Sequence, residues 1–145
     1  MRQYHGVRQG TDTAARQCVY VIGDDGMPAP LDPRLDIRNH SPTGFRWGYA
    51  GSGPAQLALA LCADALGDDR RAERIHQHYT FAVVARWPQA FDWTQTQAEV
   101  ISRVEQLEGA LARAGAPHPL ETDGPWKRDD GDQGAGAVRG QGAGE

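Results

Sequence analysis

The thirteen residues from Pro54 to Leu66 constrain the fold most, because they are nearly all Ala and Leu. Leu57, Leu59, Leu61, Cys62 and Leu66 cover most of a helix circumference, and a helix apolar all round belongs at the centre of a core. Pro54 suits the first turn, where a missing N–H costs nothing, so Gly53 or Ser52 is the expected N-cap. Gly67 supplies the left-handed stop. The residues before this run, 36–53, are polar, aromatic and rich in Gly. The junction reads as an ornate loop that delivers the chain to the N-terminus of a buried helix.

The other elements are read as what packs on that helix. Tyr4 to Arg8 is short and β-like, and 10–15 is a loop. Arg16 to Ile22 is dense in β-branched and aromatic residues and is the clearest strand. Gly23-Asp24-Asp25-Gly26 makes a turn. Pro28, Pro30 and Pro33 then exclude a helix or a central strand and leave an extended crossing. Past Gly67, Asp68 and Asp69 cap a second helix with Ala72, Ile75, Tyr79, Ala82, Val83 and Arg86 on its inner face. Trp87-Pro88 ends it. Phe91-Asp92-Trp93 is an aromatic connector. Thr96 and Glu99 then form a capping box, with Thr94 a rival cap, before a third helix striped by Val100, Val104, Leu107 and Leu111 and ended by Gly115. The fold class expected is α+β: a small antiparallel sheet from the N-terminal third packed on three helices of about 16, 18 and 18 residues.

Composition divides the chain. Residues 117–145 hold seven Gly and little that is apolar, the pattern of a disordered acidic tail. The domain expected is therefore residues 1–116. The tail carries three basic and six acidic side chains, and the body 12 Arg against 13 acids, so their net charges are -3 and -1. A nearly neutral body argues against bulk electrostatic binding of nucleic acid. Cys18 and Cys62 have no metal-ligand spacing and read as reduced thiols. With no apolar leader and no long apolar run, a cytoplasmic protein without a membrane span is expected.

The run Gly44-Phe45-Arg46-Trp47-Gly48-Tyr49-Ala50-Gly51-Ser52-Gly53-Pro54-Ala55-Gln56-Leu57-Ala58-Leu59-Ala60-Leu61 resembles an uncharacterised bacterial family, a domain of unknown function sharing Gly-Phe-x-Trp-Gly-Tyr-x-Gly-Ser-Gly-Pro-Ala-Gln-Leu-Ala-Leu-Ala. Residues 35–42 and Phe81 to Arg86 also look similar, and the resemblance spans roughly residues 3–110. It implies a small α+β domain met in bacteria, phages and mobile elements. It implies no activity. Short proteins of such elements often bind host machinery, defence systems included.

Four constellations are candidate sites, each with a plainer structural reading. At Gly51-Ser52-Gly53-Pro54 the free N–H groups of a helix start could take an anion, aided by Arg38, Arg46 and His40; the plainer reading is a tight turn. Arg38-Asn39-His40-Ser41 offers His40 as a base if Asp36 orients it; otherwise Asn39 and Ser41 tie the loop down through side-chain bonds to backbone. Phe45, Trp47 and Tyr49, at period two, either stack on a partner or lay three rings on the core, with Arg46 outward in that case. Arg70, Arg71, Arg74, His76 and His78 form a basic outer face that either meets phosphates or is simply solvated, with Glu73 pairing to Arg70.

No catalytic constellation closes, and no metal or cofactor is implied. The function expected is a non-enzymatic binding protein, a phage or mobile-element accessory docking a protein partner through the 36–54 loop. The expected contacts are Arg38, Asn39, His40, Arg46, Trp47, Tyr49, Ser52 and Gly53. The alternative is a nucleotide- or nucleic-acid-directed protein, enzymatic if His40 acts as a base, with a phosphate at Gly51–Pro54.

Overall fold

A computed structural model describes residues 1–10 and 16–115. All of the expected loop 10–15 except Gly10, and the expected tail at 117–145, lie outside them. Strands β1 (Gln3–Gln9), β2 (Arg16–Ile22), β3 (Pro28–Pro30) and β4 (Trp93–Thr96) form one antiparallel sheet in the order β3-β2-β1-β4. Helices α1 (Ser52–Leu66), α2 (Asp69–Ala82) and α3 (Gln97–Ala114) complete the α+β fold.

Alternation explains which side of the sheet faces inward. Tyr4, Gly6, Val19 and Val21 are buried, whereas His5, Val7, Cys18 and Tyr20 lie on the other face and are half-buried. The core joins those sheet residues to Leu57, Leu59, Leu61 and Cys62 of α1, Ile75 and Tyr79 of α2, and Val100 and Val104 of α3. As its composition requires, α1 is buried almost all round, and Gly67 ends it in the left-handed conformation, at φ 65°. The two prolines of β3 sit on an edge, flanking Ala29, which stands opposite Val21.

Several expectations need correction. The residues after Phe91 are not only a connector: Trp93–Thr96 is a fourth strand paired to Gln3–Gly6. Thr94 lies inside it, and the capping box of α3 forms on Thr96 and Glu99. Its register puts Trp93 opposite Gly6, where any Cβ would collide with the indole. Trp93 meets Trp47 edge-on at 5.7 Å between ring centroids and lies 4.3 Å from Trp87.

Helix α2 has 14 residues rather than 18. It stops at Ala82, and a 3-10 turn spans Val84–Arg86. The β-branched pair Val83-Val84 and the extended Trp87 (φ -70°, ψ 146°) before Pro88 weaken any continuation, and the Gly48 N–H takes the Val84 carbonyl at 3.1 Å. Arg86 is thus exposed and not on the inner face of a helix. The expected outer face of α2 loses His76, which is fully buried one turn beyond Ala72. Glu73 accepts from Arg38, not from Arg70, and Arg71 pairs with Glu108 of α3.

Candidate functional site

The start of α1 and the loop before it are built around one side chain that the sequence reading overlooked. Gln56 is fully buried in the second turn of α1. Its Oε1 accepts from the backbone N–H groups of His40 (2.7 Å) and Ser41 (3.0 Å). Its Nε2 donates to the carbonyls of Pro33 and Arg38. All four hydrogen-bonding positions of the amide are therefore used. A glutamine among the Ala and Leu of a helix whose other polar side chains are only Ser52 and Asp64 was the available signal, since a buried amide has to be satisfied by something nearby.

The same loop is braced against α2. Arg38 donates from Nε (3.2 Å) and Nη2 (2.7 Å) to one oxygen of Glu73. Arg34, held at a positive φ of 58°, bridges Asp36 and Asp69. Between these pairs, His40 is 4% exposed and its Nε2 lies 3.0 Å from Nε2 of His76. The tautomers follow from the partners. Nδ1 of His76 faces the Glu73 carbonyl at 2.7 Å and must be the N–H, so its Nε2 accepts from Nε2–H of His40. Burial pushes both imidazoles well below the ordinary histidine value; the neighbouring His76 and Arg38 lower His40 further. Asp36 is committed to Arg34 and does not orient His40. His40 is accordingly a neutral, enclosed hydrogen-bond donor in a structural pair.

The eight expected contact residues separate into two groups. His40, Trp47 and Gly53 face inward and are buried, and Arg38 is braced to Glu73. Asn39, Arg46 and Tyr49 are exposed, and Ser52 is half-buried at the first residue of α1. The aromatic trio divides likewise: Phe45 and Trp47 enter the core, whereas Tyr49 is 41% exposed and no strand forms over 45–49. Ser41 ties the loop through Oγ, which donates to the Gly44 carbonyl at 2.9 Å.

The helix start is packed rather than open. The N-cap is Gly51, not Ser52 or Gly53, and no side chain caps it. A Cβ on Gly53 would stand 2.6 Å from Cγ of Arg46, and one on Gly51 would stand 2.8 Å from the Tyr49 ring. The aliphatic stem of Arg46 and the ring of Tyr49 therefore lie over the first turn. Arg38 and His40 are turned to α2 and bring no charge to it. Among the described residues no group of three His, Cys, Asp or Glu is placed to hold a metal, and no helix is long and apolar enough to cross a membrane.

A second loop, 87–92, joins this surface. Trp47 Nε1 donates to the Phe91 carbonyl at 3.1 Å. Gly48, at φ 92°, lies so close to Gln89 that a Cβ would stand 2.5 Å from Cβ of Gln89. Phe91 itself is 67% exposed. Both contacts escape sequence reasoning, because residues 47 and 91 meet only through the tertiary fold.

No curated protein and no solved structure matches the chain. A family model described as a family of unknown function (DUF6166) matches residues 4–106, a span that takes in the sheet, the loop, α1, α2 and most of α3. The chain belongs to this family of unknown function.

Proposed function

We propose that this chain is an intracellular, non-catalytic docking protein that binds a protein partner through the outward side of the 36–54 loop. The observation that carries the reading is a pair of interlocked loops presenting Arg46, Tyr49 and Phe91 to solvent while Trp47 anchors them from below. Exposed aromatic rings beside an arginine, held on a rigid support, are what the centre of a protein interface uses. The setting that fits is an accessory of a phage or mobile element, with host machinery, defence systems among it, as the partner. The phosphate alternative drew on three cationic groups at the helix start; with Arg38 and His40 engaged on α2, only Arg46 supports it.

The test is affinity purification with quantitative mass spectrometry of the full chain and of Arg46→Ala and Tyr49→Ala. Both side chains are exposed, so melting temperatures should stay within a few degrees of the parent. Partners lost in both variants support the reading, and retention of every partner in both sinks it. Trp47→Ala belongs in the same series as a folding control, because emptying that buried site costs about 3–5 kcal/mol.

A further inference from the structure

Strand β3 covers only part of the β2 edge. It pairs with Tyr20–Ile22, and Leu31 adds one last bond to the Val19 carbonyl at 3.0 Å. Strand β2 continues from there back to Arg16. In an antiparallel ladder the N–H and C=O of one residue point the same way and alternate along the strand. The alternation that turns Val19 toward β3 therefore turns Gln17 to the same side, past the last residue that β3 reaches.

Beyond this stretch, which no strand covers on that side among the described residues, lies a cleft of about 340 Å³ between β2 and the 43–46 loop. Arg16, Cys18, Tyr20, Leu31, Phe45 and Arg46 contribute to its walls. Arg16 and Arg46 are exposed, and no Asp or Glu lies among the described residues that line it. In a body with 12 Arg and 13 acids this is a local excess of positive charge.

We propose that the cleft takes a short, extended, acidic segment of a partner protein, added as a further strand along the open edge of β2. The inference rests on the docking reading above and names the chemistry of its partner. Main-chain bonds to Gln17 align the segment, and the guanidinium groups of Arg16 and Arg46 select carboxylates over ammonium groups.

The test titrates the isotopically labelled full chain with two synthetic heptapeptides, one alternating Val with Glu and one alternating Val with Lys. The expected result is saturable shifts centred on the Gln17 and Cys18 amides, with the Glu peptide binding at least about tenfold more tightly than the Lys peptide. Gln17→Pro should abolish the binding. It removes the N–H on the open side and leaves the β1–β2 ladder intact, which an edge strand tolerates. Gln17→Ala should keep it, and replacing Arg16 and Arg46 together by Gln should remove the preference for Glu. Equal binding of the two peptides, or no shift at Gln17 with the Glu peptide, overturns the proposal. So does a concentration-dependent dimer abolished by Gln17→Pro, which would make a second copy the occupant. Partner capture that needs Arg46 and Tyr49 yet survives Gln17→Pro defeats the strand and leaves the docking reading standing. Partner capture indifferent to Arg46 and Tyr49, with the Glu peptide still seated at Gln17, defeats the docking reading alone.

Discussion

At the scale of single residues, Gln56 decides the shape of the candidate surface. Its amide holds two backbone donors and two backbone carbonyls of the 33–41 loop inside the protein. Gln56→Leu keeps most of the volume but leaves those groups buried without partners. The expected loss is about 3 kcal/mol or more in urea unfolding, because each orphaned buried group costs about 1–3 kcal/mol. Loop amides near His40 and Ser41 should also lose hydrogen-exchange protection. Tyr79 is the opposite case. It is fully buried, and its hydroxyl meets no hydrogen-bond partner among the described residues. Removing that hydroxyl removes a desolvated polar group, so Tyr79→Phe should leave stability unchanged or raise it by up to about 1 kcal/mol. A fall of more than about 1 kcal/mol in the same urea experiment would mean the hydroxyl is satisfied.

At the scale of elements, β4 and the end of α2 are linked through tryptophans. Gly6 gives the Trp93 indole its seat on the sheet, and Trp93 then stacks with Trp87 and meets Trp47. Gly6→Ala puts a methyl group into that ring, so β4 must shift away from β1. The expected outcome is a loss of about 2 kcal/mol or more, as for an overpacked core, with a red shift of tryptophan emission as the indoles gain water. An unchanged emission maximum with parental stability would show that the strand pair absorbs the methyl group. Fourteen α-helical residues followed by a 3-10 turn, rather than one long helix, place Trp87 in this cluster and aim the 87–92 loop at Gly48.

At the scale of the whole molecule, the His40–His76 pair joins the loop to the helical layer and makes that joint acid-labile. Both imidazoles are held below the ordinary value of about 6.5, chiefly by burial, so the folded chain stays unprotonated where the unfolded chain takes up protons. Stability is then complete above about pH 6.5 and falls as the pH drops, by up to about 1.4 kcal/mol per pH unit for each histidine. Urea midpoints between pH 7.5 and 5, a range above most carboxylate titration, should show this decline, and a flat profile there would contradict the pairing.

How much of this was legible follows from range. Periodicity and punctuation located β1, β2, all three helices, the capping box at Thr96 and the glycine stops at Gly67 and Gly115, because those features depend on neighbours a few residues away. The burial of α1 was equally plain, since a segment of Ala and Leu has no polar face to show to water. Partner choice was not legible. The sequence does not reveal that Arg38 reaches Glu73, that His40 meets His76, that Gln56 gathers a loop from 15 to 23 residues earlier, or that Trp93 needs Gly6. Each depends on chain crossings that bring distant residues within hydrogen-bond or van der Waals reach. The sequence by itself determined a core helix, two strands and two further helices around it, and an elaborate loop at its start; the fourth strand, Trp93–Thr96, became visible only in its pairing with β1. Only the tertiary structure decided which residues of that loop turn inward to hold the fold and which remain exposed to solvent, because burial is a property of the packed assembly and not of any one segment.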